Sequence, residues 1–167
     1  METLEQRNGD MEKVTKLISD IRIGMLTTQD EHGNLVSRPM AVMQVDEEGN
    51  LWFLTKEHSP KTEQIDQHYK VNVAFADASD SSFVSVSGSA EELQDRAKIE
   101  ELWSPMAKPW FPEGKDDPQL SLLKVHIETA EYWDSSSSRM VRLFEMARAA
   151  LTGDTYKLGE NKLVENH

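Results

Sequence analysis

Apolar residues in this chain recur with two different periods, and the switches between them mark its elements. Across about residues 2–20, Leu4, Met11, Val14, Leu17 and Ile18, with Ile21 just beyond, are spaced by threes, fours and sevens. This predicts an amphipathic helix, weakened around Asn8-Gly9. The period then shortens. Residues 22–28 read as a strand, Asp30-Glu31-His32-Gly33 as a turn, and Asn34 to Asp46 as a second strand. A turn at Asp46-Glu47-Glu48-Gly49-Asn50 leads to a short aromatic strand, Leu51 to Thr55, completing an antiparallel meander. Ser59 at an N-cap and Pro60 at the first helical position start a helix running to about His68. Two alternating runs, 71–76 and 83–90, are further strands, with Gly88-Ser89 a kink or bulge. Asp95 caps a helix reaching Trp103. Residues 104–118 hold four prolines and no period, the mark of a long irregular loop. Leu122 to Trp133 reads as the last strand and 138–151 as a C-terminal helix, stopped near Gly153. Six strands and four helices predict a mainly β fold, a small antiparallel barrel with peripheral helices, filling 1–167 as one domain.

Composition narrows the chemistry. There are no cysteines, which removes disulfides, thiolate metal sites and thiol catalysis and suits a reducing cytoplasm. Residues 1–7 lack a basic start followed by an apolar stretch, so no secretory signal is expected there. No apolar run approaches the length of a membrane span. With 30 acidic against 18 basic residues and a net charge of −12, nucleic acid is not an expected partner. An anionic ligand would need a local cationic pocket built against that field. The five histidines, His32, His58, His68, His126 and His167, show no metal-ligand spacing. No Gly-x-Ser-x-Gly elbow or phosphate-cradling Walker loop is present.

One stretch supplies such a pocket. A helix start offers free backbone N–H groups and a positive dipole end, which favour phosphate. Ser59 adds a hydroxyl and Lys61 a cation in the first turn, where a cation is otherwise unfavourable. Arg38, one strand earlier, can bring a bidentate guanidinium to the same phosphate if its strand pairs with the third one. Singly, each residue is equally well a helix cap, a solvated charge or a surface ion pair; their convergence is the signal.

Ser37-Arg38-Pro39-Met40, Leu51-Trp52-Phe53-Leu54-Thr55 and Ser59-Pro60-Lys61 resemble the flavin-binding blocks of pyridoxamine 5′-phosphate oxidase-like proteins. Residues 83–90, Leu102-Trp103-Ser104-Pro105, 110–118 and Ala130-Glu131-Tyr132-Trp133-Asp134 are similar to the general stress protein 26 branch of that superfamily. The resemblance runs in order from about residue 10 to 155. It implies a six-stranded split barrel, FMN-binding and homodimeric, with two equivalent sites at the interface. Arg38, Ser59 and Lys61 would hold the FMN phosphate, and the backbone at Arg38, Met40, Leu54 and Thr55 would line the ring and ribityl chain. Trp133 would approach the flavin from the partner subunit. FAD, deazaflavin F420 or haem are the alternative occupants of such a barrel.

The resemblance also implies what the chain lacks. Where the true oxidases carry a lysine for their substrate's phosphate, this chain has Met43; their Arg-x-His pair becomes Arg139 followed by Val141. Methionine offers neither charge nor hydrogen-bond donor to a buried dianion, so oxidation of phosphorylated B6 vitamers is not expected. The reading is a flavin-dependent oxidoreductase acting on a small molecule of unknown identity, bordered by Trp110 and Phe111 of the 104–118 loop. The alternative is a non-catalytic flavin carrier, redox buffer or sensor in stress response.

Overall fold

The computed structural model describes residues 4–134 and 160–166. In chain order the elements are α1 (Leu4–Ile21), β1 (Ile23–Gln29), β2 (Leu35–Ala41), β3 (Gln44–Val45), β4 (Asn50–Lys56), α2 (Pro60–Gln67), β5 (Lys70–Asp77), β6 (Ser82–Leu93), α3 (Arg96–Leu102), β7 (Leu120–Asp134) and β8 (Glu160–Glu165). The strands form one sheet with the path β2-β1-β5-β6-β7-β4-β3, and β8 joins β7. Every pair is antiparallel.

The two ends of that path, β2 and β3, are separated by Val42 and Met43 alone. The sheet therefore has to curl until its ends approach. At the junction the Val42 N–H donates to Arg22 O and the next amide, Met43, donates to Trp52 O, each at 2.8 Å. One residue belongs to the β1 side and its neighbour to the β4 side, so the ends separate there instead of zipping closed.

Alternation along the curled sheet separates two cores. Inward residues Leu26, Val73, Phe75, Val84, Val86, Phe53 and Leu123 meet Val14, Leu17 and Ile18 of α1. On the outer side of β4 and β7, Trp52, Leu120 and Leu122 are covered by Ile99 and Leu102 of α3 and by Ala107 and Phe111 of the following loop. Each fully buried side chain of this size contributes about 1.5–3 kcal/mol. No helix of the described residues is long and apolar enough to cross a membrane.

The described residues contain eight strands, not the six expected. The run 34–46 splits into β2 and β3 because its amides change partner at Val42 and Met43. Leu122 to Trp133 is not the last strand. β4 covers one edge of β7 as far as His126, and β8 occupies the rest from Thr129. α1 continues through Asn8-Gly9 without a break. The Asp95 side chain accepts from Lys98 N as a cap, as expected. The expected helix at 138–151, with Arg139 and Val141, lies outside the described residues.

Gly88 shows why a glycine interrupts the alternating run 83–90. The β6–β7 register shifts between Ser87 and Gly88, so the bulge draws the two backbones together. A Cβ on Gly88 would lie 1.9 Å from the carbonyl oxygen of His126. Because backbone, not a flexible side chain, must yield, Gly88→Ala is expected to destabilise the fold by on the order of 3 kcal/mol. Thermal denaturation should show it as a loss of about 6–12 °C in Tm; a loss under about 2 °C would contradict the close approach.

Candidate functional site

The split places a polar cluster at one end of the curled sheet. Leu26 pairs with Arg38 and Thr28 with Val36, so the Arg38 side chain leaves β2 on the inward face, beside Thr28. There its Nη1 donates to Thr28 Oγ1 at 2.6 Å and to Leu26 O at 3.3 Å, while Nη2 donates to Gln64 Oε1 of α2 at 3.2 Å. Thr28 Oγ1 in turn donates to Gln64 Oε1 at 2.6 Å. This triangle docks the start of α2 against β1 and β2 and sets Lys61, one turn before Gln64, beside the guanidinium.

Ser59 sits at the N-cap with extended backbone, yet its hydroxyl caps no helix amide. Instead Lys61 Nζ donates to Ser59 Oγ at 3.1 Å, and Thr62 Oγ1 lies 3.3 Å from it. The backbone carbonyl of Ser59 accepts from Thr62 and Glu63. Just before, His58 holds a positive φ of 51°, which turns the chain sharply from β4 into α2.

Two positive side chains thus lie together, half-buried, with no carboxylate of the described residues within ion-pair distance of either. Burial, and then the charge of Arg38, hold the Lys61 pKa below its usual range; the charge of Glu92 acts the other way, and that of Lys56 adds to the lowering. Burial likewise lowers the pKa of Arg38. Desolvated like charges without a counterion are unfavourable unless an anion joins them.

The remaining site residues divide by face. Thr55 points inward from β4, and its Oγ1 is buried without a hydrogen-bond partner. Met40 lies on the same face of β2 as Arg38 and packs on the inner core. Leu54 turns outward into the second core, leaving only its backbone for the site. Among the described residues, β2 pairs with β1 alone, and β4 beyond Trp52 has no partner on its β3 side. The open edges at Arg38 to Ala41 and Leu54 to Lys56 frame the split with unpaired backbone groups.

Trp133 is not brought to this cluster within one chain. It lies roughly twelve residues along β7 from Ser121, the partner of Thr55, or about 40 Å of strand. Met43 packs into the second core with Trp52. Phe111 is buried there against Trp103, ring centroids 6.4 Å apart, and is therefore a core plug and not a wall of the site; Trp110 stands 65 % exposed. No group of three His, Cys, Asp or Glu among the described residues could hold a metal. Sequence reasoning missed Thr28 and Gln64. Gln64 was recoverable from its position one turn after Lys61, whereas Thr28 depends on strand register.

The sequence pattern of the family described as pyridoxamine 5′-phosphate oxidase like matches residues 9–157. The chain belongs to that family. Protein bli-3 of Neurospora crassa is 28% identical over 97% of this chain and 80% of its own. The structure of a general stress FMN/FAD binding protein from Xanthomonas citri is 33% identical, with a TM-score of 0.65 over 77% of this chain and 90% of that one. General stress protein 26 of Bacillus anthracis is 26% identical, with a TM-score of 0.66 over 73% of this chain and 92% of that one. These neighbours place the chain in the general stress protein 26 branch of the pyridoxamine 5′-phosphate oxidase-like proteins.

The lowered pKa of Lys61 has a definite sign in solution. A lysine that folding makes more acidic binds fewer protons folded than unfolded. Its contribution to stability is thus unfavourable at neutral pH and recovers as pH rises from the lowered value toward 10.5. A bound anion reverses this by drawing the pKa back up. In an NMR titration of lysine side chains, Lys61 is expected to titrate below the other lysines and to move upward when inorganic phosphate is added. A Lys61 midpoint in the ordinary range that phosphate leaves unmoved would contradict the arrangement.

Proposed function

We propose that this protein binds FMN as a homodimer and acts as a flavin-dependent oxidoreductase on a small molecule. The observation that carries this reading is the half-buried Arg38–Lys61 pair with no carboxylate of the described residues in ion-pair contact, set against a serine hydroxyl that caps nothing. A phosphate fits this place: it would take the two cations, the Ser59 hydroxyl and the Lys61 amide, since Pro60 has no N–H and the Thr62 and Glu63 amides already donate to Ser59 O. The flavin's other needs are also met. The unpartnered Thr55 hydroxyl faces inward from β4, four residues before Ser59, and the open edges of β2 and β4 offer backbone donors and acceptors to a heterocycle lying in the split. Family membership and a flavin-binding structural neighbour support the same cofactor class.

Flavin, once bound, supplies hydride or electron exchange without a protein acid or base. The protein's part is to hold the phosphate with Arg38, Lys61 and Ser59, to orient the ring between two sheet edges, and to limit water. Arg38 is itself positioned by Thr28 and Gln64, so the guanidinium enters the site pre-aimed. Arg38→Ala and Lys61→Ala should each weaken FMN binding by roughly 1.5–3 kcal/mol, the scale of a hydrogen bond to a charged group. Fluorescence titration of FMN into the two variants tests this, and unchanged affinity in both would move the phosphate elsewhere.

The dimer is supported by the outward face of the same strands. Ile23, 60 % exposed, pairs with Ala41; Phe83 pairs with Ala76 on one side and Trp133 on the other. Ile23 and Ala76 each continue one residue past the paired Gly24 and Phe75, so an apolar row crosses five strands. Met25 and Pro39 extend it in the next row. A second copy seated here would cover the row, carry Trp133 across the interface and present it to the other subunit's flavin. Ile23→Asp costs an isolated subunit little, since the side chain is already exposed, but should shift sedimentation from dimer to monomer and weaken FMN binding. A wild-type protein that sediments as a monomer at micromolar concentration with FMN bound would overturn the interfacial site.

A further inference from the structure

Glu92 is the one acid on the inward face of β6. It pairs with Leu123, which pairs with Phe53, and both neighbours are fully buried core residues. Its Oε1 is buried with no hydrogen-bond partner. A carboxylate oxygen in that position is costly, and a leucine would serve the packing better. What the acid does have is the field of Lys61. The helix carrying Lys61 packs against β6, and the Glu92 charge acts on that ammonium against the combined effect of burial and Arg38.

We propose that Glu92 is an internal counter-charge to Lys61 that determines how strongly the site prefers a phosphorylated flavin over the same flavin without its phosphate. The proposal rests on the phosphate position argued above. Without ligand, Glu92 offsets part of the repulsion between the two cations and keeps Lys61 charged. When a phosphate enters, Lys61 faces two anions, and repulsion between the phosphate and Glu92 reduces the net gain. The site therefore holds its phosphate less tightly than its cations alone would allow. That permits exchange of the cofactor and lowers the preference of FMN over riboflavin.

The ratio of the riboflavin Kd to the FMN Kd isolates the phosphate, because both ligands carry the same ring and ribityl chain. It should be measured by fluorescence titration in the wild-type protein, Glu92→Gln, Glu92→Leu and Lys61→Ala. Both Glu92 variants remove the charge, one keeping the shape and one the apolar packing, so the ratio should rise in each by on the order of tenfold, the scale of one like charge removed at an effective dielectric of about 20. It should fall in Lys61→Ala. A purely structural role for Glu92 would move both Kd values together and leave the ratio where it was. Where riboflavin binds too weakly to titrate, inorganic phosphate as competitor reports the same difference, competing better in the Glu92 variants. A ratio that stays level or falls in both Glu92 variants, while Lys61→Ala lowers it, overturns the role of Glu92 alone. A ratio insensitive to Lys61→Ala also removes the phosphate site on which it depends.

Discussion

Val42 and Met43 are neighbours in the chain, yet their amides donate to carbonyls on opposite sides of a gap, Arg22 before β1 and Trp52 in β4. The rest of the architecture depends on that division. Had Val42 and the residues before it continued along β4, the sheet would have zipped shut and every edge amide would be spent. Because it does not, the edges of β2 and β4 stay open beside each other. β2 is then free to turn Arg38 toward α2, where Thr28 and Gln64 hold it. The cationic cluster is a consequence of where the sheet fails to close.

Charge then gives the opening its chemical character. A chain with net charge −12 has carboxylates in surplus, and lysines elsewhere find them: Lys16 with Asp20, Lys98 with Glu101 and Lys124 with Glu91. Arg38 and Lys61 instead bond neutral oxygens, from Thr28, Gln64 and Ser59. Neutral acceptors orient a cation without neutralising it, so the positive potential stays available inside a protein that is otherwise strongly anionic.

Some of this was legible in the sequence because it is local. The Ser59-Pro60-Lys61 helix start, the Asp95 cap and the alternating strands β5 and β6 need only neighbouring residues to be recognised. What stayed hidden depends on distant partners. The break at Val42 interrupts a run that reads as continuously extended, since both amides remain in strand-like bonding and only their partners differ. β8 is a polar segment with Leu163 and Val164 as its apolar residues, and it becomes a strand because β7 outruns β4 and offers an unpaired edge from Thr129 onward. Glu92 is not legible this way because alternation assigns it a face but not the charge it acts on, and Lys61 comes from a helix some thirty residues earlier.

The same alternation ties the proposed cofactor site to the proposed partner surface. On β1 and β2, residues facing inward (Leu26, Thr28, Arg38, Met40) build the core and the cationic cluster, while those between them (Ile23, Met25, Pro39, Ala41) form the apolar outer row. Two strands thus present the cationic cluster on one face and an exposed apolar row on the other. A shift of one residue in their pairing would exchange the two faces and abolish both at once. Register here consequently decides both which side chains meet in the cluster and which form the outer row. It also predicts the direction of coupling: whatever orders β2 from one face, whether a phosphate on Arg38 or a second subunit on Pro39 and Ala41, stabilises the strand for the other. Flavin binding and association of two chains should then strengthen each other, because each meets part of the entropic cost of holding an edge strand that among the described residues has a neighbour on one side only.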